Sequence, residues 1–173
     1  MTLTSGLGGQ LSIDLGALAR NWRALDKVSA GALTGAVVKA DAYGTGITMA
    51  SKALHAAGAR FFFAATPDEG MAVRAAVPDA HIFILNGLYP GAANLYVRQN
   101  LMPIIGSMAM LEEWLAKCVE RNEAYPSAFH FDTGMNRLGF RLNEAAPVRE
   151  RIQDLGYAPQ MVMSHLACAD QPS

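Results

Sequence analysis

Cysteine is scarce: Cys118 and Cys168 are the two thiols in a chain of 173 residues. They show no metal or disulfide spacing, so both read as thiols of a reducing cytoplasm. A surplus of charge is lacking as well. The net charge of -1 gives nucleic acid and anionic membranes no electrostatic footing. No apolar run approaches the length of a membrane span. The opening, MTLTSGLGGQ, has neither the basic start nor the apolar core of a signal peptide. These absences predict a cytoplasmic protein with no nucleic-acid or membrane partner. No two histidines have metal spacing, so no metal is expected. Low-complexity tracts and linkers are missing too. What remains is globular: 51% apolar and 17% charged residues, on a chain long enough for one core.

Apolar runs alternate with amphipathic stretches. Leu11 to Leu15 alternates apolar and polar, which predicts a half-buried strand. Ala17 to Val28 puts Leu18, Trp22, Leu25 and Val28 on one helical face. Then strands are predicted at residues 36–38, 60–65, 81–85, 101–105, 127–131 and 161–165. Phe61-Phe62-Phe63 predicts a strand buried on both faces. Helices are predicted between them, at residues 47–57, 67–76, 90–99, 107–121 and 144–155. Gly58 stops the first of these, Pro67 opens the second with Asp68 and Glu69 beside it, and Ser107 caps the fourth.

Strands and helices in strict alternation predict an α/β fold with a parallel sheet. An open doubly wound sheet carries a glycine fingerprint in its first turn. Here that turn holds Lys39 and Tyr43 instead. The residues that interrupt the apolar pattern are Lys39, Thr66, Asn86, Asp132, Thr133, Arg137, Ser164 and His165. All fall at or just past the C-terminal ends of strands, where a (β/α)8 barrel keeps its chemistry. The expected fold is therefore a partial (β/α)8 TIM-type barrel, with six strands of the eight a whole barrel needs. Residues 1–30 would form an N-terminal strand and helix, and residues 31–173 the incomplete barrel. The chain reads as a fragment of a larger enzyme.

Three stretches carry candidate chemistry. In GAVVKADAYGTG, residues 35–46, Lys39 leaves an apolar run and enters a glycine-rich turn. An amine that leaves a hydrophobic wall for a cavity is desolvated, and desolvation favours the neutral form that a Schiff-base lysine needs. The plain alternative is a solvent-exposed lysine after an ordinary strand. In FDTGMNRLGF, residues 131–140, Arg137 sits on a loop between Gly134 and Gly139. Arginine suits planar, bidentate binding of a carboxylate or a ring oxygen anion, and a surface arginine on a turn is the alternative. His165 lies in an apolar strand, either as a packed core residue or beside a planar cofactor. His130 is on strand five with its face undecided. Tyr43 either offers its hydroxyl to a phosphate or packs in its loop.

These stretches resemble the alanine racemase family. VVKADAYGTG is similar to that family's pyridoxal-phosphate (PLP) signature, DTGMNRLGF to its arginine loop and SHLACAD to its histidine segment. LSIDLGALARNWRAL resembles its opening strand and helix, so the likeness runs from Leu11 to the end. The resemblance implies a PLP-binding barrel that interconverts L-alanine and D-alanine. Lys39 would hold PLP as a Schiff base and act as one of two catalytic bases. Tyr43 would touch the cofactor phosphate. Arg137 would bind the ring oxygen and the substrate carboxylate, Met135 would lie near the substrate, and His165 would pack against the pyridine ring. The full-length enzyme would be a homodimer that supplies D-alanine for peptidoglycan.

Two departures from the family pattern stand out. Many members have a lysine seven residues before the loop arginine, and here that position is His130. The family's opposing tyrosine base, its main phosphate-binding turn and its C-terminal β domain find no counterpart in these 173 residues. The fragment alone is expected to be inactive. A PLP carrier without catalysis and a related serine racemase are the alternative readings.

Overall fold

The computed structural model describes residues 11–171. Six strands alternate with helices: β1 (Ala36–Val37), β2 (Phe61–Ala64), β3 (His81–Ile84), β4 (Met102–Ile105), β5 (Ala128–His130) and β6 (Met161–Met163). The helices are α1 (Leu15–Val28), α2 (Lys39–Gly44), α3 (Ile47–Ala57), α4 (Pro67–Ala76), α5 (Ala93–Arg98), α6 (Met108–Arg121) and α7 (Ala145–Asp154). A short 3-10 turn at Leu142–Glu144 leads into α7. All neighbouring strands pair in parallel, in the order β1-β2-β3-β4-β5-β6. A doubly wound sheet reverses its order at a switch point. This sheet never does, so it is six strands of a (β/α)8 barrel.

Strand pleating divides the apolar residues between two faces. Phe62, Ala64, Ile82, Ile84, Ile105 and Phe129 pack outward under the helices in the main core. Phe83, Met102, Ile104 and Ala128 form a second cluster on the inner face, with Phe61, Phe63, Leu85, Met161 and Met163 against it. The register aligns this inner row from strand to strand, through Val37↔Phe63, Phe63↔Phe83 and Phe83↔Met102. The expected burial of β2 on both faces is thus corrected. Phe62 is fully buried, whereas Phe61 and Phe63 are partly exposed on the inner face. There they stack on His81 at 4.9 Å and on Phe83 at 5.1 Å between ring centroids.

Local chemistry sets several helix ends. Asp14 accepts the Ala17 N–H at 2.9 Å and caps α1. Thr66 caps α4 with Pro67 in its first turn, and Ser107 caps α6. Asn122 closes α6 in the left-handed conformation, which asparagine tolerates well.

Four expectations are corrected here. Residues 11–14 form no strand, because β-alternation needs a sheet neighbour and the Asp14 cap begins a helix instead. Leu25 and Val28, expected on the packed face of α1, are exposed, whereas Leu18 and Trp22 do reach the core. Helix α5 begins at Ala93 rather than Pro90, since Gly91 holds φ +75°, outside any right-handed helix. Strand β6 stops at Met163, so Ser164 and His165 lie past it.

Candidate functional site

The inner-face parity places Lys39. Val37 faces inward, and Lys39 is the next residue of that parity, at the C-terminal mouth of the barrel. It is half-buried and makes no ion pair among the described residues. The chain then takes a conformation that no sequence pattern signals. Ala40, Asp41, Ala42 and Tyr43 all hold φ of 52–55° and ψ of 38–52°, so α2 is a turn of left-handed helix. Each non-glycine residue there costs about 1–2 kcal/mol. Strain of this size persists where surrounding bonds over-determine it, commonly at functional sites.

Those bonds are identifiable. The Ala42 N–H donates to the Val38 carbonyl at 2.9 Å, and the Gly46 N–H to the Asp41 carbonyl at 3.0 Å. The Asp41 carboxylate accepts the Ile47 N–H at 2.7 Å, which ties the turn to the start of α3. The Glu69 carboxylate accepts the Ala40 N–H at 2.7 Å. Tyr43 is carried back towards the lysine, with Lys39 Nζ 5.9 Å from its ring centroid. The tyrosine is largely exposed, so its ring is not buried in the core.

The second half of the mouth is built after β5. The Asp132 carboxylate accepts the Gly134 and Asn136 N–H groups at 2.9 and 3.0 Å. Those amides hold its carboxyl below the ordinary carboxylate range. The loop returns at Phe140, whose N–H donates to the His130 carbonyl and whose carbonyl accepts the Asp132 N–H, both at 2.8 Å. Gly139, at φ +112°, sits in that crossing. A Cβ there would lie 2.7 Å from the Asp132 nitrogen and 3.0 Å from the His130 carbonyl oxygen. Gly106 packs against it equally closely, since a Cβ on Gly106 would meet the Gly139 Cα at 2.9 Å. The closed loop carries Met135, half-buried, and Arg137, exposed. Arg137 borders a cleft of about 200 Å³ shared with Leu85, Asn86, Ile104 and Gly106.

His130 has the parity of Ala128, which belongs to the inner cluster, so the undecided face of the sequence reading is the inner one. Burial pushes its imidazole below the ordinary range; the Asp132 carboxylate pulls it back, and His165 and Arg137 push it down again. A histidine depressed in the folded state stabilises the fold fully above its unfolded value of about 6.5, and that stability is lost as pH falls. NMR titration of the His130 imidazole in the full-length protein should therefore give a midpoint below about 6.5, and His130→Gln should flatten the fall of stability as pH drops below that ordinary value. A midpoint at or above the ordinary value would contradict this.

His165 is exposed beyond β6, a correction to its expected place inside the strand. Its neighbour Ser164 shares a 2.5 Å hydrogen bond with Thr133, which ties the two loops together. The mouth thus gathers His130, Asp132, Arg137 and His165 around β5 and β6, and Lys39 with Tyr43 at β1. The strand order puts these two groups at opposite edges of the sheet, across its inner face. Thr66 and Asn86 are occupied locally, Thr66 as the α4 cap and Asn86 with the Tyr89 hydroxyl at 3.3 Å. A roomier cleft of about 400 Å³ lies at the opposite strand ends, beside Arg74 and His81. The Arg74 guanidinium there is spent on the carbonyls of Gln99, Pro78, Ala80 and Asn100, so that end is structural. Glu69 is a mouth-side acceptor not among the expected site residues. The pattern Thr66-x-x-Glu69 is a capping-box signal and marks it as a backbone acceptor.

The family model "Alanine racemase, N-terminal domain" matches residues 13–173. The alanine racemase of Methylobacterium sp. (strain 4-46) is 48% identical over 172 residues, 99% of this chain and 47% of that protein. That of Rhizobium meliloti (strain 1021) is 48% identical over 164 residues, 94% of this chain and 43% of that protein. The crystal structure of alanine racemase from Bartonella henselae with covalently bound pyridoxal phosphate superposes with a TM-score of 0.88 at 31% identity, covering 93% of this chain and 45% of that one. The chain spans about half the length of the relatives it matches. With a family model matched over nearly all of its length, on a barrel arc whose mouth presents Lys39, the chain belongs to the alanine racemase N-terminal domain family.

Proposed function

We propose that the chain is the N-terminal part of a PLP-dependent alanine racemase, which interconverts L-alanine and D-alanine and supplies the D-enantiomer for peptidoglycan. The observation that carries this reading is Lys39 at the head of a left-handed turn, on the inner face of the barrel mouth. The donor set suits PLP. An amine without a carboxylate partner among the described residues can bond the cofactor aldehyde, and the Arg137 guanidinium, exposed at the same mouth, can take an anion. His130, biased towards its neutral form, adds no charge that would compete for that anion.

Bound PLP would supply an electron sink that acidifies the substrate Cα–H. The chain's residues then divide the remaining work. Lys39 holds the cofactor and moves a proton on one face of the substrate. Tyr43 offers its hydroxyl to the cofactor phosphate. Arg137 holds the ring oxygen and the substrate carboxylate. Met135 borders the substrate, and His165 packs on the ring. On this reading residues 1–30 lead into the barrel and residues 31–173 are its first part, with residues 1–10 and 172–173 outside the described residues. The second base, the remaining strands and a C-terminal β domain come from the rest of the enzyme, which works as a cytoplasmic homodimer.

Full-length protein incubated with PLP and L-alanine should yield D-alanine by chiral chromatography. PLP uptake without D-alanine would leave a carrier in place of a racemase. Serine turned over in preference to alanine would reassign the substrate, since hydrophobic pockets discriminate such small differences weakly.

A further inference from the structure

The place where β1 leaves β2 shows an interrupted ladder. The Val38 N–H donates to the Phe63 carbonyl at 2.9 Å. In a parallel pair the next two bonds would run from the Ala65 N–H to the Val38 carbonyl, then from the Ala40 N–H to the Ala65 carbonyl. Neither forms. The Val38 carbonyl accepts the Ala42 N–H of the left-handed turn instead, and the Ala65 carbonyl accepts the Asn86 N–H of the next strand connection at 3.1 Å. Both freed donors go to one carboxylate: Glu69 takes Ala40 N–H on Oε1 and Ala65 N–H on Oε2, each at 2.7 Å.

Glu69 reaches this point because α4 sits close on the sheet. At Gly70 an added Cβ would meet Ile84 Cδ1 at 2.6 Å and Leu101 Cδ2 at 3.1 Å. The carboxylate thereby departs from an ordinary capping box, in which the third helical residue returns to its own cap amide. Two bonds of this length to a carboxylate are charge-assisted and strong.

We infer that Glu69 is a positioning residue for Lys39: its carboxylate replaces the strand ladder where β1 ends, holds the Lys39–Ala40 peptide and so aims the lysine side chain into the mouth. This rests on the reading of Lys39 as the cofactor-bearing lysine. Glutamine keeps one acceptor oxygen and turns its NH2 towards the second N–H, so it serves one donor only.

The test uses full-length Glu69→Gln, with Asp14→Ala as a control that removes the remote α1 cap and lowers stability without touching the mouth. Two quantities are read: the rate at which borohydride fixes added PLP on Lys39, and amide exchange at Ala40 and Ala65. Glu69→Gln should slow fixation about tenfold and raise exchange at one or both amides about tenfold or more. Asp14→Ala should change neither. Fixation by Glu69→Gln at the wild-type rate overturns the inference, as does equal slowing in the stability control. If the wild-type protein takes no PLP on Lys39, the functional reading fails, and unchanged exchange in Glu69→Gln separately sinks the clamp. Should that variant not fold, Glu69→Asp, too short to span both donors, is read in the same way. Fast exchange of the Ala40 and Ala65 amides in the wild-type protein overturns the inference without any variant.

Discussion

On the proposed racemase reading, Lys39→Ala in the full-length protein should lower alanine racemisation by about ten-thousand-fold, the upper range for loss of a general base, because on that reading the same amine also holds the cofactor. The fold should be spared. Lys39 makes no ion pair among the described residues, and its side chain is half-buried rather than packed in the core. Thermal unfolding of the variant should therefore track the wild-type protein measured without PLP. Lys39→Arg should not rescue turnover, since a guanidinium stays charged and cannot serve as nucleophile or base. Retained racemisation in Lys39→Ala would remove the lysine from the chemistry.

Gly139→Ala should destabilise the arginine loop by about 2–5 kcal/mol, combining backbone strain with overpacking. The methyl group would fall 2.7 Å from the Asp132 nitrogen, inside a crossing closed by two 2.8 Å backbone hydrogen bonds. Backbone atoms so held cannot swing aside as a flexible side chain would. The loop must open, and Arg137, two residues earlier, moves with it. A displacement of about 1 Å at a positioning group can cost on the order of a hundredfold in rate. Gly134 supplies the comparison. It also has a positive φ, at +137°, but an added Cβ meets nothing within 4 Å. Gly134→Ala should cost about 1–3 kcal/mol of strain alone and leave Arg137 near its place. Urea unfolding and kcat/KM of the two full-length variants separate these effects. Equal behaviour of the two would contradict the account of the crossing.

The sequence was most legible where a pattern reflects one physical cause. Apolar runs such as Phe61 to Ala64 and His81 to Ile84 read as strands, and all six strands exist, although β1, β5 and β6 are shorter than expected. Pro67 and Ser107 marked helix starts because capping is local, whereas Thr66, expected among the mouth residues, is the α4 cap. Arg137 was legible as a loop residue because Gly134 and Gly139 bracket it, although the close crossing of Gly106 and Gly139 has no sequence signal. The left-handed turn was not legible at all. Ala, Asp, Ala and Tyr each prefer the right-handed or extended regions, and a long-range bond to Glu69 together with the local bond from Ile47 to Asp41 overrides that preference. The Leu11 to Leu15 alternation misled for the opposite reason. Its period is correct for a strand, but no sheet neighbour lies beside it among the described residues. His165 looked like part of β6 because Met161 to Met163 is apolar, yet the ladder ends at His130↔Met163.

The central claim is that Lys39 is the residue that carries the cofactor. Full-length protein equilibrated with PLP, reduced with borohydride and digested, should give one PLP-modified peptide, spanning residues 35–46, with the label on Lys39. A label on Lys27, Lys52 or Lys117, or no label under conditions where the enzyme racemises alanine, would contradict it.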